Sequence, residues 1–272
     1  MSKLVDYEGQ LIHSNPLKDL MEEGKFGTSF TITIAPGLEV LQLAKYAGLK
    51  SITLNMEHRK TDVETAADVC VMCLALGISP VIVVPCNQSE WISRLLDNGA
   101  QGIVVPRINT AEMARTLVKY SKHRPIGERP LAFTPQLNFD IKNFNGAFKA
   151  QNDTTLTIPM IETKEGVENC GEIARVPGVD MIFIGVHDLS DDLGAAGQFD
   201  NPELQAAIKR ICRAGTEAGI FLGLGGMENR LDLVTAFRKE FPAIRFAMAG
   251  RDSFALLKGM RDVMAKMAAL DE

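Results

Sequence analysis

Short, almost unbroken apolar runs recur along the chain, and polar residues stand at their ends. Ser51-Ile-Thr-Leu54 runs into Asn55-Met-Glu57-His58, and Gly102-Ile-Val-Val-Pro106 into Arg107. Leu156-Thr-Ile-Pro-Met-Ile161 is followed by Glu162, and Met181-Ile-Phe-Ile-Gly185 by Val186-His187-Asp188. Strands of a parallel sheet read this way because helices cover both faces. The pattern predicts strands over Ser29–Ile34, Ser51–Leu54, Val81–Val84, Gly102–Val105, Leu156–Ile161, Met181–Ile184, Ile220–Leu224 and Arg245–Met248. Helical periodicity fills most of the gaps. Over Thr110–Tyr120, for example, Ala111, Ala114, Leu117 and Val118 form one stripe behind a Thr110 N-cap. Eight strands alternating with helices predict an α/β fold, a (β/α)8 TIM barrel, as a single domain over residues 1–272.

In such a barrel the residues just past the strands' carboxyl ends line one mouth. His58, Arg107, Glu162 and Asp188 are therefore expected to converge. One interval breaks the rhythm: about fifty residues separate the fourth strand from Leu156. Its excess is read as a long active-site loop at about 122–154, with Pro130–Thr134 left inside it rather than counted as a ninth strand. Arg251–Leu270 is predicted to be a long helix. Its broad apolar stripe (Leu256, Leu257, Met260, Val263, Met264, Met267) packs either on its own barrel or on a partner subunit.

Composition narrows the function. The chain has 272 residues, 46% of them hydrophobic, so a large core is affordable. A net charge of −5 argues against nucleic acid, whose binding rests on clustered Lys and Arg. No apolar run approaches the roughly 18 residues of a membrane span, and the start lacks the apolar segment of a secretion signal. A cytoplasmic protein is expected. Its five cysteines are unevenly spaced and are read as reduced; Cys70 and Cys73 share a helical apolar face and are read as core. Gly223-Leu-Gly-Gly226 matches neither the dinucleotide nor the P-loop spacing.

Among the polar residues, Glu162 and Asp188 are the candidate metal ligands, since carboxylates suit Mg²⁺ or Mn²⁺. His58 is the candidate general base, its ordinary pKa lying near working pH. Asp97 is a candidate to orient that ring, or else an ordinary helix-end acid.

At this point the motifs form an ordered series. Asn55-Met-Glu-His58, Leu95-Leu-Asp97-Asn-Gly-Ala-Gln-Gly-Ile-Val-Val-Pro106, Thr110-Ala-Glu112, Ile161-Glu162-Thr163 and Phe183-Ile-Gly-Val-His-Asp188-Leu-Ser190 together resemble the HpcH/HpaI family of metal-dependent 2-oxo acid aldolases. The likeness runs from about Phe26 to Leu257. It implies a phosphoenolpyruvate/pyruvate-type barrel with the C-terminal helix exchanged between subunits of a homohexamer, a trimer of dimers. It also implies His58 as base, supported by Asp97, and Glu162 and Asp188 as ligands of Mg²⁺ or Mn²⁺, with Co²⁺ a further candidate. The implied activity is a carbon–carbon lyase, an aldolase acting on a 2-oxo acid such as pyruvate, with the metal stabilising an enolate.

Departures fall on the substrate side. Val83 stands where the family carries an arginine that stabilises the enolate oxygen, and Met160 where it carries glutamine. His187 replaces a small residue, and Asn55 an aspartate. Arg107 is expected to supply the missing guanidinium, while Met160, His187 and Asp188 are assigned to substrate binding. The competing readings are decarboxylation of an oxaloacetate-like β-keto acid, biosynthetic C–C bond formation, and a barrel that binds metal and ligand without turnover.

Overall fold

The computed structural model describes residues 3–268 and 270. An antiparallel hairpin, β1 (Leu4–Tyr7) and β2 (Gln10–His13), precedes helix α1 (Pro16–Glu22). Asn15 caps that helix by accepting from the Lys18 N–H, and Pro16 opens it, where an N–H is not needed. The β/α alternation follows as β3 (Gly27–Ile32), α2 (Leu38–Tyr46), β4 (Ser51–Asn55), α3 (Val63–Leu76), β5 (Ser79–Val83), α4 (Ser89–Asp97), β6 (Gly102–Val105) and α5 (Ala111–Ser121). After a long connection containing α6 (Phe144–Thr154), it resumes with β7 (Leu156–Ile161), α7 (Lys164–Glu168), α8 (Cys170–Ala174), β8 (Met181–Gly185) and α9 (Val186–Asp192). The last elements are α10 (Pro202–Ala218), β9 (Phe221–Gly225), α11 (Leu231–Glu240), β10 (Ile244–Arg251) and α12 (Asp252–Ala268).

Strands β3 to β10 pair in parallel and close on themselves in the order β10-β3-β4-β5-β6-β7-β8-β9, the expected barrel. Side chains alternate across it with the strand period of two. Val81, Val83, Val104, Ile158, Met160, Met181, Phe183 and Phe246 fill the interior. Ile82, Val84, Ile103, Val105, Ile161, Ile182 and Ile184 face the helices, where Cys70 and Cys73 are buried with them. Leu17 and Met21 of α1 join the interior cluster from below. The Asn15 side chain donates to the Gln101 and Thr154 carbonyls, and Ser79 Oγ accepts from the Leu17 N–H. All three partners precede or begin strands, so the hairpin and α1 seal the amino-terminal end and leave the carboxyl end open.

The connection expected to be an active-site loop lies on that sealed side. It leaves the C-terminus of α5 and enters the start of β7, both at the barrel's amino-terminal face. There α6 and the 3-10 turn Pro135–Leu137 pack on the hairpin through Ile12, Leu137, Ala147 and Ala150. Pro130–Thr134 forms no strand. A buried lysine anchors the segment: Lys122 Nζ donates to the Asn152 and Thr155 carbonyls at 2.8 and 2.7 Å and pairs with Asp180 at 2.8 Å.

Helix α12 starts on Asp252, whose carboxylate accepts from the main-chain N–H groups of Thr33, Ile34 and Ala35. Burial works against ionisation there, but the Thr33 hydroxyl, which also donates to it, and these main-chain bonds outweigh it and hold Asp252 below the usual carboxylate range. Asp252 is the one buried residue of α12. Beyond the first turn its stripe of Leu256, Leu257, Met260, Val263, Met264 and Met267 is exposed. An apolar groove of about 340 Å³, lined by Ile32, Val40, Leu43, Ala44, Leu49 and Leu256 among others, is left uncovered beside α2. Of the helix expected to reach Leu270, residue 269 lies outside the described residues. No helix among the described residues is long and apolar enough to cross a membrane.

Candidate active site

The open end of the barrel holds a cavity of about 270 Å³. Its lining comes from the ends of six strands. Asn55, Glu57 and His58 follow or end β4, Val83 ends β5, and Met160 and Glu162 stand at the end of β7. Phe183 and Gly185 belong to β8, with His187 and Asp188 in the first turn of α9. Gly225 and Gly226 close β9, while Met248 and Arg251 come from β10.

The turn after β4 is held by Asn55, whose side chain accepts from the His58 N–H at 3.0 Å. His58 stands at the mouth with 63% of its side chain exposed, and its Nε2 lies 3.4 Å from the Glu57 carboxylate, which is only 17% exposed. Burial raises the Glu57 pKa above the usual range, and Asp188 adds to it, whereas His58 and Arg107 oppose it.

Glu162 is the buried acid of the site, 5% exposed. Its Oε1 accepts from the Arg107 main-chain N–H at 3.0 Å. Arg107 takes a left-handed φ of +54° there, turning its amide toward the carboxylate. Burial, then the charges of Asp188 and Glu57, push Glu162 up to about 7, and Arg107 only partly offsets them. Gly185 lets this carboxylate approach: a Cβ on it would stand 2.6 Å from Glu162 Oε2. Asp188 lies exposed at the start of α9. That helix is braced by Ser190, whose hydroxyl donates to the His187 carbonyl at 2.7 Å and accepts from the Gly197 N–H. The His187 ring packs edge-on against Phe199 at 5.4 Å. Gly226, with φ +82°, makes room for it, since a Cβ there would be 2.5 Å from His187 Cδ2.

His58, Met160, Glu162, His187 and Asp188 are thus gathered in one cavity. Asp97 is not among them. It ends α4 on the amino-terminal side, where its Oδ1 accepts from Arg129 Nε and Nη2 at 3.1 and 2.7 Å. Within one chain the expected His58–Asp97 pair is not formed, because a residue preceding a strand and one following a strand sit at opposite ends of the barrel. The carboxylate beside His58 is Glu57 instead. The Arg107 side chain is exposed and does not line the cavity; its hydrogen bond to the site is through its main chain, while its charge still acts on Glu57 and Glu162. Two charged lining residues lacked an assigned role in the sequence, Glu57 and Arg251. Both follow the rule that selected the others, standing at or just past a strand's carboxyl end.

Two acidic side chains from the ends of neighbouring strands, Glu162 buried and Asp188 exposed, line one cavity and make a donor set that fits a divalent cation. Among the described residues no three His, Cys, Asp or Glu side chains converge as a metal site. Glu162 and Asp188 would therefore supply two donors, with water and substrate oxygens completing the shell.

The chain as a whole is similar to known proteins. The family model HpcH/HpaI aldolase/citrate lyase matches residues 39–254. The chain is 31% identical over 259 residues to a hydroxypyruvate/pyruvate aldolase of Roseobacter denitrificans, covering 93% of this chain and 96% of the relative. It is 29% identical to the 4-hydroxy-4-methyl-2-oxoglutarate aldolase tasA of Hapsidospora irregularis, covering 95% and 96%. The crystal structure of an HpcH/HpaI aldolase from Desulfitobacterium hafniense superposes with a TM-score of 0.86 at 24% identity, covering 92% and 96%, a likeness of fold.

Proposed function

This chain belongs to the HpcH/HpaI aldolase/citrate lyase family, and on that premise we propose that it breaks, or in reverse forms, the C3–C4 bond of a 4-hydroxy-2-oxo acid with a divalent metal as cofactor. It is a carbon–carbon lyase of the aldolase kind. One observation carries the assignment of this chemistry to the cavity. Glu162 and Asp188 line the same cavity, and burial, then the charges of Asp188 and Glu57, pushes Glu162 up to about 7. A pair of acids under such mutual repulsion is relieved by a hard divalent ion, Mg²⁺ or Mn²⁺. When bound, that ion would polarise the 2-oxo group and make the adjoining carbon more acidic.

The chain's own residues move the proton and shape the substrate. In cleavage, His58 accepts the proton of the C4 hydroxyl. The C4–O bond becomes a carbonyl as C3–C4 breaks, the electron pair stays with C3, and C3 takes the proton back from the His58 imidazolium to give the shorter 2-oxo acid. Glu57, 3.4 Å from Nε2, stands beside the ring that carries the proton. Asn55 keeps the turn that carries both. Met160 and His187 wall the substrate. Arg107 is assigned to the developing oxyanion, which requires its exposed side chain to turn inward.

A metal-dependent exchange of pyruvate's methyl protons in D₂O tests the reading. With Mg²⁺ or Mn²⁺ the exchange is expected, and it should vanish with EDTA and fall by about 100- to 10,000-fold in His58→Ala. Metal binding without exchange would defeat it.

The exposed stripe of α12 and the uncovered groove beside α2 support a homo-oligomer in which α12 docks in the groove of a second copy. A hexamer is the assembly proposed. The compartment proposed is the cytoplasm, consistent with five free cysteine thiols.

A further inference from the structure

The cavity is acidic, with Glu57, Glu162 and Asp188 in its wall, and among the described residues Arg251 is the one Lys or Arg side chain that lines it. Arg251 ends β10, which lies beyond β8 and β9 from the Glu162 strand β7 in the barrel order, so the guanidinium and the proposed metal ligands face the cavity from well-separated sides. Val83, Met160, Phe183 and Met248 give the same cavity apolar surface.

Arg251 is held, but not used up. Its Nη2 donates to Glu228 Oε1 at 3.1 Å, and Glu228 keeps only 9% of its side chain in solvent. The guanidinium also lies over the Phe254 ring at 5.0 Å, at the start of α12. Its Nε is buried without a hydrogen-bond partner. A planar fork fixed by one acid and one ring, lining the cavity with 30% of its side chain still exposed, is preorganised to donate to a second carboxylate. Nothing in the proposed reaction at C3–C4 uses it.

We propose that Arg251 recognises the distal carboxylate of the substrate, which makes the substrate a dicarboxylic 2-oxo acid. The inference rests on the aldolase reading above. The 2-oxo end of such a molecule goes to the Glu162–Asp188 side and its carbon chain lies along the apolar wall. Its far carboxylate would be repelled by the three acids, and Arg251 supplies the opposite charge. The guanidinium lost at Val83 is thereby replaced in charge but not in place, since β5 and β10 are three strands apart in the closed order. It serves the far end of the substrate rather than its keto oxygen.

Binding tests this without turnover. With the Mg²⁺-loaded full-length protein, calorimetry compares 2-oxoglutarate with 2-oxopentanoate, which has the same five-carbon chain and no second carboxylate. Wild type should prefer 2-oxoglutarate by about 10- to 100-fold, the range of a charge-assisted hydrogen-bonded contact. Arg251→Met should bind both alike, and Arg251→Lys, which keeps the charge and loses the fork, should fall between. Should the methionine variant fail to fold, the lysine variant carries the test through its smaller preference. Equal binding in wild type, binding of neither probe, or a preference unchanged in the variants would overturn the proposal. Cleavage of 4-hydroxy-2-oxoglutarate by wild type is measured in parallel. A preference that depends on Arg251, in a protein that cleaves nothing, sustains the carboxylate site and sinks the aldolase reading.

Discussion

Arg107 and Arg251 both stand at the carboxyl ends of barrel strands, yet only Arg251 lines the cavity. Arg107 takes a left-handed backbone turn, and its hydrogen bond to Glu162 comes from its amide, not its guanidinium. The amide survives substitution by alanine, so Arg107→Ala separates the two contributions. If the side chain serves the oxyanion, turnover should fall by about 100- to 1000-fold, with metal affinity kept because the Glu162 contact remains. Unchanged steady-state kinetics would leave Arg107 a main-chain ligand of Glu162 and no more. Glu57 makes a similar point. It sits beside His58 in the sequence, but only the turn closed by Asn55 brings the two side chains within 3.4 Å.

At the scale of elements, the long connection and Asp97 share one explanation. A segment that leaves a helix and enters a strand lies at the amino-terminal face, and so does a residue that ends a helix before β6. Chain order already contains this: Thr110–Tyr120 read as a helix and Leu156–Ile161 as a strand, so what lies between them was bound to the sealed side. What chain order does not contain is the partner. Arg129 is buried with 1% of its side chain exposed, and Asp97 is its counter-charge. Burial lowers the arginine's pKa and Asp97 opposes that. Asp97→Asn is therefore expected to cost roughly 2–3 kcal/mol of stability. That is less than for a fully buried pair, because Asp97 keeps 29% of its side chain in solvent. Denaturant unfolding reads the loss. A variant of full stability that no longer exchanges pyruvate protons would instead return Asp97 to the reaction, as the motif series implies.

For the whole molecule, the expectation concerns assembly. A 17-residue helix with Asp252 alone buried cannot be stable in water by propensity alone, and its apolar stripe needs a cover. The groove beside α2 is left bare because the helix that would close the barrel there projects away. Light scattering should give the wild type a mass several times 29.7 kDa. Met260→Glu with Met264→Glu should lower it toward one chain, and a monomeric wild type at micromolar concentration would rule the exchange out. The barrel itself, its eight strands and the convergence of His58, Glu162 and Asp188 were determined by sequence alone. Apolar runs specify buried parallel strands, and strand direction specifies which residues share a mouth. Tertiary structure alone decided which side chains turn into that mouth, which acid stands by the histidine and which arginine lines the cavity. Those choices depend on local backbone dihedrals, on room left by Gly185 and Gly226, and on counter-charges distant in the chain, none of which has a periodic signature.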